Sequence, residues 1–286
     1  MRKALVHALN YGVVLVVLAA VLFPMFWLVS SSLKPPHEWL AKPPIWVSKA
    51  MTLDNYKVLF VPVETIVRIG GFTTPAVKPI VNSLLISFFA TTIAVLAGFV
   101  AAYSISRYRT GGAQLFIFIL QTRMLPPIAV AIPLLLMYST LGLVDRHVGL
   151  ILLYAGVTLS YVVWMMKGFI DEIPREIEEA AILDGYSGWE ILFKVVFPLV
   201  RGPLLAAGLF VFILNWGEFL FALIFTQSEA VTVPVQLQKY FSNMGLMLGP
   251  MAALSVVATG PVVILGYLIQ KHFVRGITFG AVKGGR

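Results

Sequence analysis

Glu176, Glu178, Glu179, Asp184 and Glu190 crowd into the stretch PREIEEAAILDGYSGWEILFKVVFPL, residues 174 to 199, of a 286-residue chain that is 12% charged and 59% hydrophobic. Carboxylates gathered beside a membrane could hold Mg²⁺ against a diphosphate, as a membrane-embedded prenyl transferase-like enzyme would. That chemistry needs closely paired aspartates facing the bilayer. The aspartates of this loop are Asp171 and Asp184, thirteen residues apart. The remaining use of such a patch is contact with water or with a partner protein.

A second group of polar residues lies inside apolar stretches. A charge in a transmembrane helix costs roughly 2.5–3.5 kcal/mol on insertion scales, so each needs a reason. Arg123 falls near the middle of an apolar run beside Gln121 and Thr122, with Pro126, Pro127 and Pro133 just beyond. Broken helices survive in lipid where protein buries them or a wet cavity borders them. Arg123 is either part of a gate or solute route, or a partner for carbonyls that the prolines set free. Asn215, Trp216 and Glu218 combine an aromatic face with hydrogen-bonding groups, a set suited to a sugar ring, and are expected to line a pathway. The alternative is an interfacial Trp with a polar neighbour paired to another subunit. Asn82 is a weaker candidate. A proton-coupled carrier would want several buried ionisable groups, and only Arg123 and Glu218 qualify.

The elements that position these residues follow from composition. A mean hydropathy of +0.91 marks a membrane protein. The net charge of +8 is spread over the ends of apolar segments, as topology signals are, and argues against nucleic acid. With no cysteine there is no disulfide or thiolate metal site. Arg2 and Lys3 precede an apolar run from about 11 to 33, which is longer than the roughly 7–15 residues of a signal peptide core and is expected to remain as a helix.

A hydrocarbon core of ~30 Å needs about 20 apolar residues of helix. Stretches near 11–33, 80–105, 113–141, 147–170, 200–226 and 249–270 meet that requirement. The expectation is an all-α, polytopic membrane protein with six transmembrane helices, forming a single permease-sized domain over 1–286. An even number of spans puts both termini on one side. With that side cytoplasmic, the outside basic residues are concentrated in one long loop, 34–79, leaving Arg146 and Lys239 in the short outside loops. The inside segments carry Lys and Arg throughout, so both termini are predicted to be cytoplasmic. The 34–79 loop, rich in Pro, Trp and Lys at its start, reads as an extended extracytoplasmic strap. A basic tail, 271–286, ends in Lys283 and Arg286.

On this topology the acidic stretch belongs to a cytoplasmic loop, 171–199, between the fourth and fifth spans. Pro174 suits a first helical turn, and the following carboxylates complement the helix dipole. Gly185 can take the left-handed conformation that stops a helix. Ser187 and Glu190 make an S-x-x-E capping box that starts a second short helix, GWEILFKVVF. Ile173, Ile177, Ala180, Ala181 and Asp184 recur at three- and four-residue spacing, a thin face able to enter a groove. Loops that only connect helices commonly take 2–8 residues, and carboxylates beside an anionic inner leaflet disfavour a lipid-resting helix. Protein docking is the preferred reading.

The stretch resembles the EAA loop of binding-protein-dependent ABC importer permeases, in which EAA, three residues, Gly, nine residues and I-x-L-P follow in order. Here Glu179, Ala180 and Ala181 lead to Gly185, then Val195, Phe197 and Pro198, with Val and Phe replacing Ile and Leu. The extended segment, together with NWGEFLFALIFT (215–226), RMLPPIAVAIPL (123–134) and FVRGITFGAVKG (273–284), is similar to the sugar-transporting branch. Nearly the whole chain resembles its MalG-type permeases, although Gly217 is often Asn there.

The resemblance implies a type I ABC importer permease fold and a non-catalytic subunit that forms half of a translocation pathway for a sugar or polyol. It implies a prokaryotic inner membrane location. Its partners would be a second, MalF-like permease, two ATP-binding cassette ATPases that carry ATP and Mg, and an extracytoplasmic solute-binding protein. The coupling residues carried over are Glu179, Ala180, Ala181, Asp184 and Gly185. The chain itself has no Walker-type G-x-x-x-x-G-K-[ST] sequence and is expected to bind no cofactor. A permease for a non-sugar solute such as glycerol 3-phosphate shares these motifs.

Overall fold

The structure, a computed structural model, describes residues 2–61, 75–242 and 245–281. Lys283, Arg286 and part of the 34–79 loop lie outside the described residues. Among the described residues the regular structure is helical apart from a two-residue antiparallel pairing of Phe241–Ser242 with Gly245–Leu246. In order come α1 (Arg2–Ser32), α2 (Asp54–Phe60), α3 (Val77–Tyr108), α4 (Gly112–Gln121), α5 (Pro127–Thr140) and α6 (His147–Asp171). They are followed by α7 (Arg175–Leu183), α8 (Gly188–Trp216), α9 (Leu220–Phe225), α10 (Val233–Lys239) and α11 (Leu248–Ala281). Among the described residues five helices, within α1, α3, α6, α8 and α11, are long and apolar enough to cross a membrane.

The stretch expected as one span over 113–141 is instead two shorter helices, α4 and α5. Pro126 and Pro127 explain the break. Neither has an N–H to donate, and Pro126, preceding a proline, is extended at φ −58°, ψ 125°. Pro127 then opens α5 at a position where its missing donor costs nothing. The stretch expected over 200–226 also differs. Its helix ends at Trp216, Gly217 stops it, and α9 resumes at Leu220.

At its other end, α8 begins at Gly188, so the short helix expected after Gly185 is the first part of a membrane-length helix. Residues Ile191–Val196 wind in the wider π-helical register, immediately before Pro198. Proline removes an i→i−4 bond, and the wider register carries the helix through this position without a break.

Contacts divide the chain into two units, Met1–Lys78 with Gln236–Gly260, and Pro79–Val235 with Pro261–Arg286. In the first, the strap folds back on the end of α1. Asn55 Nδ2 donates to the carbonyls of Ser32 and Lys34, both at 2.9 Å, and Trp39 Nε1 donates to Lys34 at 2.9 Å. The apolar flank of α1 is exposed within this chain, as suits a helix facing lipid or another subunit.

The core of the second unit is built by α3, α6 and α8. Ala94, Phe99 and Ala102 of α3 meet Val162, Met166 and Ile170 of α6 and Val200, Leu204 and Ala207 of α8. A Cβ built on Gly98 would lie 2.7 Å from Val162 Cβ, so the glycine permits the close approach of α3 to α6. A second cluster joins Ile86 and Ala90 of α3, Tyr138 of α5, Leu150 and Tyr154 of α6, and Phe221 and Phe225 of α9.

Candidate coupling surface

Helix α7 is short, and its ends are fixed by its own sequence. Pro174 occupies the N-cap, with Glu176 and Glu178 in the first turn. At the other end Tyr186 N–H donates to Ala181 O and Gly185 N–H to Ile182 O, both at 3.0 Å. These 6→1 and 5→2 bonds form a Schellman turn. It requires the left-handed backbone of Gly185, whose φ is +86°. Beyond it, Glu190 accepts from the Ser187 N–H at 3.0 Å and from its hydroxyl at 2.8 Å, tying off the start of α8.

The two faces of α7 have opposite character. Glu179, Ala180, Asp184 and Gly185 are exposed, with Ile182 at 59% and Leu183 at 88%. Trp189, on the first turn of α8, is 64% exposed and stacks on Phe193 at 6.1 Å. Ala181 belongs to the other face: it is buried in the core with Met166, Ile170 and Leu192. Of the coupling residues expected from the sequence, four lie on the open face and Ala181 seats the helix on the protein. The helix thus presents an open face of apolar tips flanked by carboxylates while both of its ends are locked.

Sequence reasoning missed how the buried face is held. Glu178 is only 7% exposed and accepts from Arg107 Nε at 2.5 Å and from the Tyr103 hydroxyl at 3.0 Å. Arg107 Nη2 also donates to the carbonyls of Ile170 and Ile173, at 2.9 and 3.0 Å. Beside them Ser106 donates to Asp171, which pairs with Lys167. In the sequence Arg107 carried only a topology signal, and Glu178 was indistinguishable from its neighbour Glu179.

The residues expected to line a pathway are largely engaged inside the chain. Arg123 sits in the break between α4 and α5, donates Nη1 to Val157 O at 2.9 Å and stacks 3.8 Å from the Tyr161 ring centroid. It therefore ties the break to α6. Asn215 is buried and donates to Thr91 at 3.1 Å; Trp216 is buried and stacks on Phe212. Glu218 accepts from the Tyr154 hydroxyl at 2.8 Å and from the N–H groups of Phe221 and Ala222 at 2.9 and 3.0 Å. It thus caps α9 across the break after Gly217. Asn82 donates to the carbonyls of Glu229 and Val231 at 2.8 and 3.0 Å, and its Oδ1 lies 2.7 Å from His147 Nε2.

Near Asn82 a further carboxylate is held where no local pattern announced it. Asp145 adopts φ +56° and faces the N–H groups of Gln227, Ser228, Glu229 and Ala230 at 3.0 to 3.2 Å. Burial alone would disfavour the ionised form and raise the pKa, but the four backbone donors outweigh it and hold the carboxyl well below the usual range. Among the described residues no three His, Cys, Asp or Glu side chains converge as a metal site would require.

Membrane-length helices, apolar segments broken where protein lines the break, and a capped amphipathic helix exposed between two spans define a polytopic membrane protein. Residues 94–279 match the family described as binding-protein-dependent transport system inner membrane components, and the chain belongs to that family. It is 34% identical over 265 residues to the inner membrane ABC transporter permease protein YcjP of Escherichia coli, covering 92% of this chain and 91% of that one. It is likewise 34% identical over 269 residues to the trehalose/maltose transport system permease protein MalG of Thermococcus litoralis, covering 92% of each. A chain in the crystal structure of a bacterial ABC transporter involved in the import of the acidic polysaccharide alginate shares the fold. That match has a TM-score of 0.74 at 19% identity, over 96% of this chain and 98% of the other. The protein is thus a multi-pass inner membrane permease of an ABC transporter.

Proposed function

We propose that this chain forms half of the translocation pathway of an ATP-driven importer for a sugar or related polyol, and that α7 docks on a separate ATPase. The observation that carries the docking is the open face of α7, where Leu183 and Ile182 project beside Glu179 and Asp184 while Ala181 and Glu178 hold the reverse side to the core. On this reading α7 is cytoplasmic, both termini share its side, and ATP and Mg reside in two cassette subunits. A second permease completes the pathway, and an extracytoplasmic solute-binding protein delivers the solute. The sugar assignment rests on relatives named for trehalose and maltose transport.

The test is uptake and ATP hydrolysis by the assembled complex across a panel of sugars and polyols, with glycerol 3-phosphate included. A sugar or polyol that stimulates both supports the reading, whereas stimulation by glycerol 3-phosphate alone refutes the substrate class. Glu179→Ala and Gly185→Val in the inserted permease should abolish uptake and co-purification of the ATPase. Retained uptake in both would sink the account of the loop.

A further inference from the structure

We infer that Arg107 is the positioning residue through which displacement of α7 reaches the membrane spans. The inference rests on the coupling role proposed for α7. A docked helix can move a pathway only if it is attached to the spans by something stiffer than the peptide leading into it. From Asp171 at the end of α6, the chain runs through three residues before α7 resumes at Arg175.

Arg107 supplies the attachment from three directions. It sits in the last turn of α3, its Nε meets Glu178 of α7, and its Nη2 reaches Ile170 and Ile173 at and just beyond the end of α6. The side chains of Arg107 and Glu178 are each 9% exposed. Tyr103, one turn earlier on α3, occupies the second oxygen of Glu178. Ala181, one turn further along α7, is sealed against the core. A push on the open face of α7 is therefore delivered to the ends of α3 and α6 together.

A guanidinium suits this task because its planar fork reaches a carboxylate and two carbonyls at once, which the ammonium of lysine, a single point, does not. Positive charge at an inside helix end is also a topology signal, and lysine would serve that role equally well. The two roles separate in Arg107→Lys.

The experiment compares wild type, Arg107→Lys and Tyr103→Phe in the full complex, measuring ATPase co-purification, ATP hydrolysis and solute taken up per ATP. With the ATPase still bound, uptake per ATP should fall about tenfold in Arg107→Lys and about threefold in Tyr103→Phe, within the range of coupling losses along mechanical networks. Uptake per ATP equal to wild type in Arg107→Lys overturns the inference. Should Arg107→Lys fail to assemble, Tyr103→Phe decides alone, and an unchanged ratio there overturns it. Failure of the docking proposal reads differently: Glu179→Ala and Gly185→Val would then keep the ATPase bound and uptake normal, whatever Arg107 does.

Discussion

Replacing Asp145 should loosen a specific backbone segment, 227–230, without touching the spans. In the wild type its carboxylate is the acceptor for the four amides of Gln227, Ser228, Glu229 and Ala230, at 3.0 to 3.2 Å. The first three residues are exposed and water can replace the lost acceptor, but Ala230 is 0% exposed. Hydrogen bonds to a charged group contribute roughly 1.5–3 kcal/mol, and the partial exposure of Asp145 favours the lower part of that range. For Asp145→Ala a loss of about 2 kcal/mol corresponds to roughly 30-fold faster amide exchange across 227–230. Asp145→Asn keeps one carbonyl oxygen and tolerates the positive φ; a loss of about 1 kcal/mol, roughly fivefold, is expected.

The assay is hydrogen–deuterium exchange of the detergent-solubilised complex, with each variant referred to wild type at the same pH. Because the folded carboxyl is held below its ordinary value near 3.9, its contribution is complete above that pH and is lost as pH falls below it. The difference between wild type and Asp145→Asn should therefore narrow in acid. Equal protection of 227–230 in all three proteins at neutral pH would refute the reasoning.

Other substitutions test how the interior is packed. Gly98→Val should destabilise the chain by about 1–3 kcal/mol, because its Cβ would press on Val162 Cβ at 2.7 Å; thermal unfolding in detergent should show partial recovery when Val162→Gly, which removes that atom, is added. Arg123→Lys should cost about 1 kcal/mol through loss of the stacked guanidinium over Tyr161, with a thermal double-mutant cycle against Tyr161→Leu showing strong non-additivity. Glu218→Leu leaves the buried Tyr154 hydroxyl and two amides of α9 without their acceptor, a loss of roughly 1–3 kcal/mol. Adding Tyr154→Phe should recover part of the lost melting temperature.

What the sequence made legible was local. Pro174, Gly185 and the Ser187–Glu190 pair stop and start helices through bonds to residues at most five positions away, so their types and spacing announced the turn after α7. Hydrophobic runs identified the membrane segments, because length and composition are what a bilayer selects. Hydropathy alone did not set their ends: Gln121 to Arg123 with Pro126 and Pro127 marked the interruption of one run, whereas the stop of α8 at Gly217, between Asn215 and Glu218, was not anticipated.

Contacts between distant segments were the least legible. Glu178 and Glu179 are adjacent and chemically alike, yet a rotation of about 100° per residue turns one into the core and leaves the other open. The positions of Arg107 and Tyr103, more than 70 residues earlier, decide what Glu178 does. Asp145 meets amides more than 80 residues away, and backbone N–H groups leave no trace in residue types. The pathway candidates show the same limit. Polar residues in apolar runs signalled that partners were required, and for Asn215 and Glu218 this chain supplies them.

The chain contains no cysteine, so a single Leu183→Cys substitution places a unique thiol on the exposed tip of α7. Cross-linking it with a short bifunctional reagent in the assembled transporter tests the docking claim most directly. The account predicts a covalent adduct with the ATPase subunit whose yield changes when ATP is bound, while a cysteine at Ser228, which the proposed topology puts on the opposite side of the membrane, gives none. Absence of any ATPase adduct from Leu183→Cys, in a complex that still takes up its solute, would contradict it.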